Sequence, residues 1–196
     1  MSVEIDARGL ACPKPVILTK KEIDKGTKDI VTIVDNEIAK ENVTKLISKM
    51  SFDFDVEVCE GDFFIHFTTG SEMGLEEQGA LKPEIEDLVI YVASERMGVG
   101  NDELGDALMK GYFYTLTERT PYPKAILFVN GGVKMTVATS PVLDHLRALE
   151  EKGVEILSCG TCLDYYNMKD QLAVGGVTNM YTILDTMNGA KKLAKV

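Results

Sequence analysis

Tryptophan is absent from this 196-residue chain, histidine occurs twice, and aromatic residues make up only 7%. The two histidines, His66 and His145, stand far apart with no partner spacing, which leaves little basis for a His-rich metal site or a His-centred catalytic relay. Basic residues are in deficit, 21 Lys+Arg against 31 Asp+Glu for a formal charge of −10. That argues against nucleic-acid partners, which need a basic face. No apolar run approaches the roughly 18–20 residues of a membrane span. The start, MSVEIDARGLACPKP, puts Glu4 and Asp6 where a secretory leader carries basic residues, so the chain reads as cytoplasmic. Four cysteines are too few for a disulfide scaffold of this size, and free, catalytic or metal-bound thiols fit a reducing compartment better. What is present is an ordinary globular composition, 45% apolar and 27% charged, long enough for one medium domain or two small ones.

Residues 71–87, rich in Gly and acids and without an apolar period, read as a linker. Charge divides evenly around it: residues 1–75 hold 9 basic and 14 acidic residues, residues 76–196 hold 12 and 17, each half −5. The first part, 1–70, reads as β-α-β-α-β-β. Strands are expected at Val3–Asp6, Ile30–Val34, Phe54–Val58 and Phe63–Thr68, the last two as a hairpin around Glu60-Gly61-Asp62. Helices are expected from Pro13 to about Lys25 and over Glu37–Met50, the latter capped by Asn36. This is a two-layer unit.

The second part, 88–196, alternates strand and helix, the pattern of a three-layer, mostly parallel α/β sheet covered on both faces. Strands are expected at Leu88–Ala93, Ala125–Val129, Val154–Ser158 and, briefly, Leu172–Val174. Helices are expected over Asp102–Leu116 behind an Asn101 cap, from Ser140-Pro141 to Lys152-Gly153, from Leu163 onward, and over Asn179–Asn188. Loops leaving the C-terminal ends of parallel strands gather in one crevice. Those loops hold Ser94-Glu95, Asn130-Gly131-Gly132 and Cys159–Cys162.

Cys12-Pro13-Lys14-Pro15 is the most informative tetrapeptide. A proline at the first helical position sacrifices no hydrogen bond, which puts Cys12 at the expected N-cap, where the helix dipole favours a thiolate. The two prolines, Pro13 and Pro15, withhold amides that would otherwise satisfy the anion, and Lys14 adds a positive charge. The alternative is a small apolar residue that merely starts a helix. ARGLACPKPVILTKKEI at the head of a β-α-β-α-β-β segment closely resembles the TusA/SirA-like sulfur-relay family over residues 1–70. The resemblance implies that Cys12 carries a persulfide, or its selenium equivalent, from one protein to another.

Cys159 and Cys162 follow an expected strand and precede an expected helix, again a setting that lowers a thiol pKa. Three chemical readings stay open. A zinc site lacks a second ligand pair in its own domain. A thioredoxin-like dithiol has the CxxC spacing but not the surrounding Trp. A thiol that takes or passes a chalcogen atom, with its neighbour resolving, uses both cysteines. SCGTCLDYYNMKDQLAVGGVTNMYTI and FVNGGVKM resemble the DsrE-like family, and the domain pair resembles the YedF family of sulfurtransferase-like selenium metabolism proteins. The resemblance implies a selenium or sulfur relay. In it, a cysteine desulfurase would be the donor and an acceptor such as selenophosphate synthase would follow, with a homo-oligomer and no metal or organic cofactor. A non-catalytic adaptor or redox-sensing partner of the selenophosphate system, and a dithiol oxidoreductase in the C-terminal half, are the alternatives.

Other signals are weaker. Asn130, Gly131 and Gly132 form either an amide cradle for an anionic persulfide or a strand-ending turn. Gly98-Val-Gly100 has Glu103 where a dinucleotide fingerprint needs its third glycine. Cys59 reads as strand packing, Asp164-Tyr165-Tyr166 as a helix start or partner contact, and Arg96 as pairing with Glu95 or with an anion.

Overall fold

The computed structural model describes residues 2–69 and 84–196. The chain divides into two compact units, Met1–Ala80 and Leu81–Val196. Both are α/β, one on a mixed sheet and one on an all-parallel sheet. Most of the expected linker, residues 70–83, lies outside the described residues.

In the first unit the elements follow the expected order: β1 (Val3–Asp6), α1 (Lys14–Asp24), β2 (Asp29–Val34), α2 (Glu37–Lys49), β3 (Phe54–Cys59) and β4 (Asp62–Thr68). The sheet order is β1-β2-β4-β3, with β1 parallel to β2 and the β3–β4 hairpin antiparallel. Alternation along β2 sends Ile30 and Val34 into one core with Val43 and Ile47 of α2 and Ile23 of α1. Between them Thr32 meets Thr19 of α1, hydroxyl to hydroxyl at 3.0 Å, and Thr19 also bonds the Pro15 carbonyl at 2.9 Å. That buried pair ties the first turns of α1 to the sheet. Helix α2 begins where Asn36 Oδ1 accepts the Ala39 N–H at 2.9 Å, a cap worth about 1 kcal/mol.

The second unit contains β5 (Ile85–Val92), α3 (Asp102–Thr117), β6 (Tyr122–Phe128), a 3₁₀ segment (Asn130–Thr136), α4 (Leu143–Glu151), β7 (Glu155–Cys159), α5 (Gly160–Tyr165), β8 (Gly176–Thr178), α6 (Met180–Gly189) and β9 (Lys192–Lys195). The order is β8-β7-β6-β5-β9. The central strands read as continuous apolar runs because both faces are covered. Met109 and Phe113 of α3 and Leu146 and Leu149 of α4 pack on one face. Ile183 and Met187 of α6 pack on the other.

Five expectations need correction. Helix α4 starts at Leu143 with Val142 as its N-cap, two residues past the expected Ser140-Pro141 start. Strand β5 starts at Ile85, inside the expected linker and ahead of Leu88. Leu172–Val174 is no strand: Leu172 makes a single bridge to Val137, and the edge strand is Gly176–Thr178. Gly175 (φ +73°) precedes it and packs against the Ile156 carbonyl, a tertiary approach invisible in sequence. Helix α5 starts at Gly160, so Cys159 is its N-cap and Cys162 lies within it. Cys59 is exposed at the end of β3, an outer strand of the sheet, and fills no core.

Candidate functional site: two thiol centres

The first centre is built from the loop entering α1. Its N-cap is Pro13, so Cys12 stands one residue outside the cap it was expected to occupy, joined to Pro13 by a cis peptide. The proline stop moves the helix start to Lys14, with Pro15 as the second helical residue, buried, and Lys14 exposed. Ala11 accepts the Lys14 N–H at 3.0 Å. Cys12 is exposed and unpaired. It lines a groove of about 270 Å³ with Leu10, Val16, Ile38 and Asn42. Asn42 Nδ2 lies 3.9 Å from its Sγ. The groove wall depends on a small polar lattice: Asp35 accepts the Gly9 N–H at 2.7 Å, and Asn36 Nδ2 donates to Asp35 at 2.8 Å. Those contacts, the backbone one first, hold the Asp35 carboxyl below its usual range. Gly9 has φ +69°, which a glycine adopts without cost, and the turn that presents Cys12 follows from it.

The second centre forms where the C-terminal ends of β5, β6 and β7 meet, as parallel topology requires. Cys159 is buried and Cys162 half-buried. The Asn130 N–H donates to Cys162 Sγ at 3.1 Å. Asn130 has φ +47°, and its Oδ1 accepts the Tyr166 hydroxyl at 2.9 Å. Lys134 Nζ lies 5.2 Å from the centre of the Tyr166 ring and 2.9 Å from Glu95 Oε1. Gly131 packs over Ser94 and Glu95 at ordinary contact distance, and Gly132 lies hard against the Val92 carbonyl. The loops expected to converge do so, linking Glu95, Lys134, Tyr166, Asn130 and Cys162.

The thiols themselves differ from expectation. Burial pushes the Cys162 thiol up, and contact with Cys159 adds to the rise; the Asn130 N–H pulls the other way and does not win. The helix-start effect expected of Cys162 is therefore outweighed, because the cysteine sits inside a short helix beside a second thiol. The sequence reading makes Cys159 the station and Cys162 its possible resolver; exposure favours the opposite order, since Cys162 and not Cys159 is the one a reagent can reach. Lys134 carries no signal in the sequence, and Tyr166, read there as part of a helix start or partner contact, is the C-cap of α5 and faces Asn130.

The remaining candidates lie elsewhere. Arg96 pairs with Asp106 at 3.1 Å and Asp102 at 3.2 Å, not with Glu95. Asp164 faces Lys169 at 3.4 Å. His145 packs against the Tyr114 ring, and His66 lies 3.9 Å from Glu57. Among the described residues no group of three or more His, Cys, Asp or Glu could hold a metal ion. None of their helices is long and apolar enough to cross a membrane.

The first centre is thus an exposed thiol one residue ahead of a proline-capped helix on a two-layer unit. Residues 3–68 match the family model of the sulfurtransferase TusA. A SirA-like protein from Desulfitobacterium hafniense is 31% identical, covering 36% of this chain and 100% of its own, with a TM-score of 0.33. The N-terminal unit is thus a TusA/SirA-like sulfurtransferase domain, which supports a sulfur-carrier role. The ychN protein from E. coli is 14% identical, covers 55% of this chain and 97% of its own, and has a TM-score of 0.44. A protein of unknown function from Methanobacterium thermoautotrophicum is 15% identical, covers 58% and 99%, and has a TM-score of 0.43. Among curated proteins none matches this chain.

Proposed function

We propose that the protein is a chalcogen carrier of sulfur and selenium metabolism that holds a persulfide or selenopersulfide on Cys12. The observation that carries the reading is an exposed, unpaired Cys12 at the entry to α1 of a TusA-family domain. The Cys12 thiolate attacks the outer sulfur of a donor persulfide, for which a cysteine desulfurase is the fitting source. The new S–S bond forms as the donor's S–S bond breaks, the donor leaves as a thiolate, and no net oxidation occurs. An acceptor thiolate or selenophosphate synthase then takes the outer atom by the same exchange. The four free thiols suit a reducing, cytoplasmic setting.

The second unit, read as DsrE-like and the pair as YedF-like, supplies a further thiol station. Cys162, the reachable thiol, receives the atom. Cys159 attacks the inner sulfur of that persulfide and expels hydrosulfide, leaving a Cys159–Cys162 disulfide that a cellular dithiol must reduce. Asn130 and Gly131 shape this station. Val177, Met180, Tyr181 and Leu184 are exposed apolar residues on β8 and α6 and support self-association through that face. Light scattering of the full chain tests that point, and a monomer at micromolar concentration removes it.

The carrier reading is tested by incubating the protein with a cysteine desulfurase and cysteine and weighing it intact. A gain of one sulfur, mapped to the Cys12 peptide and lost in Cys12→Ser, supports it; no gain in either form points to the adaptor. The contact between Cys159 and Cys162 favours a second reading for the C-terminal unit, a dithiol oxidoreductase. Should Cys159→Ser retain sulfur handling yet abolish disulfide turnover, that reading displaces the relay for this unit.

A further inference from the structure

We infer that the Asn42 carboxamide is the group that holds the outer chalcogen atom of loaded Cys12, with that atom lying in the adjoining apolar groove; this rests on the carrier reading. An anion at a helix entry is normally met by free backbone N–H groups. Here that supply is reduced. Pro13 and Pro15 carry no N–H, and the Lys14 N–H is already given to the Ala11 carbonyl at 3.0 Å. The side chains lining the groove offer two carboxamides. Asn36 is held as the cap of α2, its oxygen on the Ala39 N–H and one of its two N–H groups on Asp35. Asn42, half-buried on α2, has no hydrogen-bond partner among the described residues besides Cys12 Sγ, 3.9 Å away.

That distance is long for a bond to the bare thiol, and one added atom closes it. An S–S bond extends the chain by about 2.05 Å. Turned to about 60° from the line from Sγ to Asn42 Nδ2, the outer sulfur comes to about 3.4 Å from the amide, a good distance for an N–H donor to a sulfur anion. The groove has the room: about 270 Å³, walled by Leu10, Val16, Ile38 and Ala39. Asn42 therefore acts as a positioning residue for the cargo, favouring the loaded over the empty carrier. The apolar wall limits access of water and small thiols to the S–S bond, and a macromolecular acceptor must displace the atom from the groove to take it.

The test loads the full-length protein with inorganic polysulfide, in which the Cys12 thiolate takes one sulfur and a shorter polysulfide leaves. Peptide mapping locates the adduct, and its decay in dithiothreitol is followed by mass. Asn42→Ala shortens the Cys12 persulfide lifetime by about tenfold, the effect of one hydrogen bond to an anion. Asn42→Asp, isosteric and so retaining the fold, shortens it further by presenting a carboxylate. Alkylation of the unloaded thiol by iodoacetamide is measured in parallel. Lifetimes of both variants within twofold of the parent would overturn the assignment. So would an equal change in alkylation rate, which would place the effect on the thiol and not on the outer atom. If the parent takes up no sulfur at Cys12, the carrier reading fails with it, a result distinct from a parent that loads normally beside unaffected variants.

Discussion

Gly132 is the most sharply testable position of the second thiol centre. It ends the turn that aims the Asn130 N–H at Cys162, and a Cβ built on it would lie 2.3 Å from the backbone oxygen of Val92. That oxygen is already fixed by the Val129 N–H at 3.0 Å, and Val92 is fully buried. Real Cβ atoms essentially never come closer than 3.0 Å, so Gly132→Ala forces about 0.7 Å of movement into the turn or the strand. Overpacking of this kind costs about 1–3 kcal/mol. For a unit of this size that lowers the midpoint of its thermal transition by roughly 3–15 °C. Movement taken up by the turn falls on Asn130, two residues away, and stretches its 3.1 Å contact to Cys162. The neighbouring Gly131 is the control: its Cβ would meet nothing nearer than 3.8 Å. Gly131→Ala is expected within about 0.5 kcal/mol of the parent. Calorimetry gives the stability, and iodoacetamide labelling of Cys162 gives the site effect. Equal melting of the two variants, or an unaltered Cys162 labelling rate in a destabilised Gly132→Ala, refutes the coupling of turn to thiol.

Further outcomes follow from the same geometry. Cys159→Ala removes a contact that raises the Cys162 pKa, so the pH profile of Cys162 alkylation shifts to lower pH; an unmoved profile shows the contact to be inert. The first unit loses stability in acid through Asp6, whose carboxyl the Arg8 side chain holds down at about 2 from an ordinary 3.8. With the folded pKa below the unfolded one, this contribution is present above about pH 4 and is lost as pH falls toward 2. Asp6→Asn therefore flattens the dependence of the urea midpoint on pH in that window, and an unchanged slope contradicts the assignment. In the Thr19–Thr32 pair, Thr19→Val costs about 1–3 kcal/mol by leaving the Thr32 hydroxyl unpaired in the core. Thr32→Val added to it recovers part of that loss, and a strictly additive double mutant would show that the hydroxyls do not interact.

Local chemistry was enough to place many of the elements. Asn36 and Asn101 each cap the helix they were expected to cap, because an Asn side chain followed by an amphipathic run satisfies an N–H three residues on without outside help; Asn179, expected as the first helical residue, caps α6 in the same way. The parallel core was readable from its unbroken apolar strands, and the convergence of Ser94-Glu95, Asn130–Gly132 and Cys159–Cys162 from topology alone. Cys12 stood out because two prolines around one position leave a thiol at a helix entry few other uses.

Where prediction went astray, the deciding contact came from distant sequence. Strand β8 forms at Gly176 and not Leu172 because Gly175 passes against Ile156, a fit that no local propensity records. Cys59 is exposed because β3 lies at the sheet edge, and edge position is a property of strand order. The thiols of the CxxC pair differ in reach and acidity through burial and mutual contact, which oppose the helix-start effect that spacing suggested. Residue pattern alone thus determined most of the helices and central strands and which cysteine stands before α1, but not the edge strands β8 and β9. Tertiary packing decided which thiols face solvent and which amide points at each sulfur, because exposure and hydrogen-bond direction depend on groups tens of residues apart.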